Sequence, residues 1–272
     1  MAPFKIALLQ SDICFGDPVS NRQRLGHMMK TAMEQQPDTD LLVLPELWNT
    51  GYDLQRLDEI AEPVEGESYR LLADFAAEYR VNIVGGSIAE RRESEFYNTE
   101  FYNTMYCFDR TGHVKAAYSK IHLFGLMHEN DYLQPGKSLC NLELDHQLKA
   151  GAAICYDIRF PELSRTLAMR GAQLLIVAAE WPHPRLHHWK TLLTARAIEN
   201  QMFVIACNRV GSGGGNHFCG HSLIIDPWGE IQAEGSELEE IVTGIIEPEQ
   251  VSEVRSRIPV WQDRRDDLYY KG

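Results

Sequence analysis

Three residues whose types can break a covalent bond stand at comparable places in the chain. Glu46 ends the apolar run Leu41-Leu42-Val43-Leu44-Pro45, Lys120 follows the alternating segment Val114–Tyr118, and Cys155 follows Gly151-Ala152-Ala153-Ile154. A thiol can attack a carbonyl carbon, a carboxylate can take its proton, and an ammonium can hold the oxyanion that forms. Each also has a plain structural use: a loop cap, a solvated lysine, a packed core cysteine. Residue type leaves both readings open, so position has to decide. In Gly151-Ala152-Ala153-Ile154-Cys155-Tyr156-Asp157-Ile158-Arg159-Phe160-Pro161-Glu162 the cysteine stands where a buried strand meets a helix running through Leu163, Leu167 and Ala168. Ligands of open α/β sheets collect beyond such strand ends, and a helix N-terminus is expected to lower a thiol's pKa from its usual value of about 8.5.

The elements that must position these residues follow from periodicity. Lys5–Gln10 and Leu41–Glu46 are short apolar strands separated by a helix through Leu25, Met28, Met29 and Ala32. A helix over Ser68–Tyr79 precedes a strand at Asn82–Ile88, and Thr104–Phe108 with Val114–Tyr118 predicts a hairpin. Further strands are expected at Gln173–Ala178, Phe203–Cys207, His221–Asp226 and Ile241–Ile246, with helices over His188–Asn200 and Pro248–Arg257. Strand and helix alternate throughout, which defines an α/β layered fold. The Gly211-Ser212-Gly213-Gly214-Gly215 run lacks the Lys and Ser/Thr of a phosphate loop and reads as a mobile surface loop. Glu95-Phe96-Tyr97-Asn98-Thr99 is repeated at once as Glu100-Phe101-Tyr102-Asn103-Thr104. Five is odd, so two copies in one strand would face opposite ways; the second copy is expected in the sheet and the first extruded.

Composition narrows the class. The 272 residues, 44% hydrophobic and without an obvious linker, are expected to form a single domain over 1–272. With 39 acidic against 26 basic residues, a formal charge of −13, the chain is a poor candidate for nucleic-acid binding. It shows neither a signal peptide nor an apolar run long enough for a membrane, so a cytoplasmic protein is expected. The six cysteines, at 14, 107, 140, 155, 207 and 219, form no CxxC and no cluster, which argues against disulfides and zinc ribbons.

Three stretches carry a resemblance. LPELWNTGYD at 44–53, YSKIHLF at 118–124 and ICYDIRFPEL at 154–163 resemble, in order and spacing, the signature segments of the carbon–nitrogen hydrolase (nitrilase) superfamily. EWPHPRLHHWKTLLTARAIENQ, DPWGE and IPVWQDRRDDLY resemble its omega-amidase branch, which hydrolyses the terminal amide of 2-oxo acids such as 2-oxoglutaramate and 2-oxosuccinamate. The resemblance implies a four-layer α-β-β-α sandwich, a homodimer with the 248–272 tail at its interface, and a link to methionine salvage. It also implies Cys155 as nucleophile, Glu46 as proton carrier, Lys120 with the Tyr156 N–H as oxyanion donors, and Glu129 as second glutamate. Asp131 is the alternative partner for Lys120 at that place.

By the same resemblance Arg159 binds the substrate carboxylate, where its guanidinium grips two oxygens at once; the competing reading pairs it with Asp157 or Glu162. Trp181 and Arg185 are implied as pocket lining. His183, His187 and His188 suggest a metal, but Pro184 breaks the helix that would present the first two, and neither metal nor cofactor is expected. The rival functions are an N-carbamoyl amino acid hydrolase, another aliphatic amidase, or a non-catalytic scaffold subunit.

Overall fold

The computed structural model describes residues 2–93 and 98–269. Two sheets face each other. The first runs, in spatial order, Glu240–Ile246, Phe4–Gln10, Leu41–Val43, Asn82–Val84, Thr99–Phe108, Ile88–Glu93 and Glu62–Pro63, with Val114–Ser119 also paired to Thr99–Phe108. The second runs Ile231–Glu234, Leu223–Ile225, Phe203–Asn208, Leu174–Ala179, Lys149–Ile154 and Asn141–Glu143.

Alternation along each strand of the first sheet divides the core. Phe4, Ile6, Leu8, Leu41 and Val43 enter the layer shared with the second sheet. Ala7, Leu9 and Leu42 face the other way, against Leu25, Met28, Met29, Leu72 and Phe75 of the helices Pro18–Gln35 and Glu67–Tyr79. The second sheet is covered by Pro161–Met169 and Leu186–Asn200 through Leu163, Leu167, Leu193 and Ala197. Its strands Lys149–Ile154, Leu174–Ala179 and Phe203–Asn208 are parallel and almost wholly buried, the pattern of a sheet covered on both faces. The result is the expected α-β-β-α sandwich. Among the described residues no helix is long and apolar enough to cross a membrane.

The second copy of the duplicated pentapeptide pairs throughout with Ile88–Glu93, from Ile88 opposite Thr104 to Arg92 opposite Glu100. Residues 95–97 of the first copy lie outside the described residues. Two expectations need correction. The Gly-rich run is a hairpin, Val210–Gly213 paired with Asn216–Cys219, because Gly214 and Gly215 supply the two positive φ angles (+55° and +78°) that a tight primed turn requires. The predicted strand over 82–88 is broken, Asn82–Val84 and Ile88–Glu93 being joined through Gly86 at φ +58°. A Cβ on Gly86 would overlap the Pro45 carbonyl oxygen, so the break lets two chain segments meet directly beside Glu46. In the tail, the Trp261 ring is occupied within its own chain, 5.0 Å from the Arg165 guanidinium and 5.1 Å from that of Arg255.

Candidate active site

Glu46 follows the strand Leu41–Val43 and is fully buried, with both carboxylate oxygens engaged. Its Oε1 accepts from Lys120 Nζ at 2.8 Å, Asn103 Nδ2 at 2.8 Å and the Tyr52 hydroxyl at 3.0 Å. Its Oε2 accepts the backbone N–H of Glu180 at 2.9 Å.

Lys120 follows the strand Val114–Ser119, and its backbone is tied to the Asn103 carbonyl (2.9 Å) and the Gly136 N–H (2.8 Å). Its ammonium reaches Glu129 Oε1 at 2.6 Å as well as Glu46. Glu129 begins the short helix Glu129–Tyr132, and its Oε2 accepts the Phe124 N–H at 2.7 Å. Asp131 points elsewhere: it is exposed and faces His128 Nδ1 at 3.0 Å. Burial acts to lower the Lys120 pKa, but Glu129 and Glu46 outweigh it and hold the ammonium charged. Glu129 is raised from the ordinary carboxylate range, first by burial and then by Glu46, with Lys120 opposing both. Tyr52 bridges Glu46 and Glu129, although its single O–H can donate to only one of them at a time.

Cys155 opens a tight turn, Cys155–Arg159, and has φ +45°, a conformation unfavourable for a residue with a Cβ. Asp157 holds that turn, accepting from the Ile154 N–H (2.9 Å), the Tyr118 hydroxyl (2.7 Å) and the His122 N–H (3.1 Å). The expected lowering of the thiol pKa is not found. Burial pushes Cys155 well up, Glu46 pushes it further, and Lys120 opposes them. The α-helix starts only at Pro161, beyond the turn that Cys155 opens, so burial and Glu46 decide the outcome. The thiol therefore rests protonated, beside a carboxylate able to receive its proton.

A narrow pocket opens on Cys155, lined by Tyr156, Arg159, Trp181, Arg185, Phe124 and Glu180 among others. The guanidinium of Arg159 lies 4.8 Å from the Trp181 ring centroid and that of Arg185 lies 5.4 Å from the Phe124 ring. Neither arginine pairs with a carboxylate among the described residues; Asp157 is occupied by the bonds above, and the polar neighbour of Arg159 is His188 Nδ1 at 3.4 Å. Burial lowers the Arg159 pKa, and Arg185 adds to that. His183 lies in the turn His183–Arg185, outside the helix Leu186–Asn200 that carries His187 and His188.

The structure thus gathers Glu46, Lys120, Glu129 and Cys155 into one buried cluster and lines its mouth with Tyr156, Arg159, Trp181 and Arg185. Sequence reasoning missed Tyr52, Asn103 and Glu180. Tyr52 was within reach, inside the quoted stretch that holds Glu46. Glu180 ends the buried strand Leu174–Ala179, the same kind of place that singled out Glu46 and Cys155. Nothing local marks Asn103, whose role depends on which copy of the repeat enters the sheet.

A double-sheet sandwich with this cluster at the ends of its strands defines a class, hydrolases of carbon–nitrogen bonds. The chain belongs to the carbon–nitrogen hydrolase family, whose model matches residues 5–256. It is 48% identical to the 2-oxoglutaramate amidase of Bacillus subtilis (strain 168), over 97% of this chain and 98% of that one. Its fold is similar to that of Saccharomyces cerevisiae Nit3, a member of branch 10 of the nitrilase superfamily, with TM-score 0.88 and 33% identity over 97% of both chains. An amidase of Nesterenkonia sp. AN1, described with acrylamide added at its active-site cysteine, matches with TM-score 0.81 and 26% identity over 97% of this chain and 98% of that one.

Proposed function

We propose that the chain is an amidohydrolase that cleaves the terminal amide of a small 2-oxo acid, 2-oxoglutaramate or 2-oxosuccinamate, to the dicarboxylate and ammonia. One observation carries the catalytic part: Lys120 Nζ is bonded to both Glu46 and Glu129 in a solvent-free cluster that borders Cys155. A lysine so paired stays cationic and can hold an oxyanion. Cys155 Sγ bonds to the amide carbon as Glu46 takes the thiol proton, and negative charge gathers on the amide oxygen between Lys120 Nζ and the Tyr156 N–H. As the C–N bond breaks, Glu46 returns that proton to the departing nitrogen, leaving ammonia and a thioester. Glu46 then deprotonates water, the new C–O bond forms, the C–S bond breaks, and the thiol is restored. Glu129 positions and neutralises Lys120.

The substrate side rests on the arginines. Arg159, without a carboxylate partner among the described residues, offers a guanidinium to the far carboxylate of the substrate, with Trp181 as an aromatic wall and Arg185 as a second cation. The 48% identity to a 2-oxoglutaramate amidase supports the same substrate class. Exposed Met169 and Ile198 on the outer helices, with Leu268 and Tyr269 on the tail, support a homodimer formed through that layer.

The test is ammonia release from 2-oxoglutaramate, 2-oxosuccinamate, an N-carbamoyl amino acid and a simple nitrile, with Cys155→Ala as blank. Preference for the oxo-amides is expected. Preference for the carbamoyl compound would leave the cluster its role and overturn the reading of Arg159.

A further inference from the structure

Glu180 lines the Cys155 cavity, yet the reaction above gives its side chain no part. It is fully buried at the end of the strand Leu174–Ala179. Its Oε2 accepts from Arg209 Nη1 at 3.0 Å. Arg209 is otherwise committed, its Nη2 to the Ile13 carbonyl at 2.7 Å and its Nε to the Val210 carbonyl at 3.1 Å. The other carboxylate oxygen, Oε1, has no hydrogen-bond partner among the described residues. A buried acceptor left open is unfavourable, so a ligand that brings a donor to it gains binding free energy.

The proposed chemistry says what that donor is. A primary amide with its carbon at Cys155 and its oxygen toward Lys120 has one polar group left, an NH2 with two donor hydrogens. The carboxylate product in the same place brings only lone pairs. We propose that Glu180 Oε1 accepts a hydrogen bond from the substrate's carboxamide N–H and so sets the preference of the site for amide over acid. This inference rests on the amidase reading and adds a specificity residue to it.

Glu180 must be ionised to accept this bond, and in the free protein it holds a proton near neutrality. Burial raises the Glu180 pKa to about 8, with Arg209 lowering it, Glu46 raising it and Lys120 lowering it. An arriving N–H donor acts in the same direction as Arg209 and favours the carboxylate form. In its ionised form Glu180 also disfavours the acid product, whose charge would face it, and so helps the product leave.

Glu180→Gln separates this role from a structural one. The variant keeps the shape and an acceptor for Arg209 but turns an N–H donor toward the cavity. The measurement is kcat/KM for 2-oxoglutaramate and for the methyl ester of the same terminal carboxyl, which has no N–H. The amide-to-ester ratio is expected to fall about 10-fold or more, the scale of one hydrogen bond to a charged acceptor. Equal losses on both substrates would overturn the proposal. Should the variant not fold, the Cys155→Ala protein still gives an answer by calorimetry: 2-oxoglutaramate is expected to bind at least about 10-fold more tightly than 2-oxoglutarate, and equal affinities would overturn it. A wild-type protein inactive on 2-oxoglutaramate would instead refute the substrate reading. The amide and ester pair is then drawn from whichever amide the wild type does hydrolyse, and Glu180 is still tested.

Discussion

Glu129 Oε1 lies 2.6 Å from Lys120 Nζ, and neither side chain has any solvent-exposed surface. With Glu46 on the same ammonium at 2.8 Å, the cluster holds two carboxylates and one cation. That imbalance leaves one carboxylate to act as a base while the other keeps the lysine charged. Glu129→Gln keeps the shape but removes the second charge and turns one of the two acceptor oxygens, which meet Tyr52 and Lys120 on one side and the Phe124 N–H on the other, into an NH2 donor. Lys120 then relies on Glu46 alone and weakens it as a base. The expected result is a fall in kcat of about 10²–10⁴-fold with little change in KM. The accompanying loss of stability should lie near the lower end of the roughly 3–5 kcal/mol seen when a buried pair is broken. Steady-state kinetics and a thermal melt check both.

Cys155→Ala removes only a sulfur from a site that already borders a cavity, so the fold should survive. Ammonia release is expected to drop to the no-enzyme rate while the circular dichroism spectrum and melting temperature stay close to wild type. Near-wild-type activity would refute the nucleophile assignment.

The strands and helices were legible because the strands are uniformly apolar and the helices keep a 3.6-residue period, with Phe4, Ile6 and Leu8 against Ala7 and Leu9 showing the alternation directly; the four layers came from the family resemblance, and the order of the strands within each sheet was not legible. The four members of the buried cluster were legible through spaced motifs. What was hidden depends on contacts between segments remote in sequence. The thiol pKa follows from burial against Glu46 and not from a local helix end, and Asn103 reaches Glu46 only because of the register of Thr99–Phe108. The hairpin in the Gly-rich run was missed for a different reason. Gly-Gly at its tip was read as freedom, whereas both positive φ angles are specified by the turn.

Gly86→Ala tests how the backbone positions Glu46. Its φ of +58° disfavours a side chain, and the added Cβ would meet the Pro45 carbonyl oxygen. Conformation alone should cost about 1–2 kcal/mol, and the overlap adds to it by shifting the peptide next to Glu46. A fall in both melting temperature and kcat is expected. Gly215→Ala is the control, since its φ is also positive, +78°, but a Cβ there meets nothing within 4 Å. It should lower stability and leave kcat unchanged; an equal loss of kcat in both would sink the argument.

Glu180 makes stability depend on pH in a defined direction. Its folded pKa of about 8 lies above the ordinary value of 4.5, so between these values the folded state binds a proton that the unfolded chain has released. The stabilisation is complete below about pH 4.5 and is lost as pH rises through 8, at no more than about 1.4 kcal/mol per pH unit. Glu180→Gln cannot titrate. The melting temperature of wild type minus that of Glu180→Gln is therefore expected to fall as pH rises from 5 to 8. A flat difference would mean that Arg209 holds Glu180 ionised throughout.

Arg159→Lys examines the carboxylate grip. A lysine keeps the positive charge but presents an ammonium where the guanidinium offers two parallel N–H donors, and it loses the stacking of Arg159 on Trp181 at 4.8 Å. Both losses act on substrate binding more than on the bond-breaking step, since the far carboxylate does not change charge during the reaction. KM for 2-oxoglutaramate is expected to rise about 10-fold or more, with kcat falling by a smaller factor. A simple aliphatic amide without a carboxylate should show no such change, which separates a lost grip from a general disturbance of the pocket. An unchanged KM for the oxo-amide would move the carboxylate site away from Arg159, and Arg185, the other guanidinium lining the cavity, would be the next to replace.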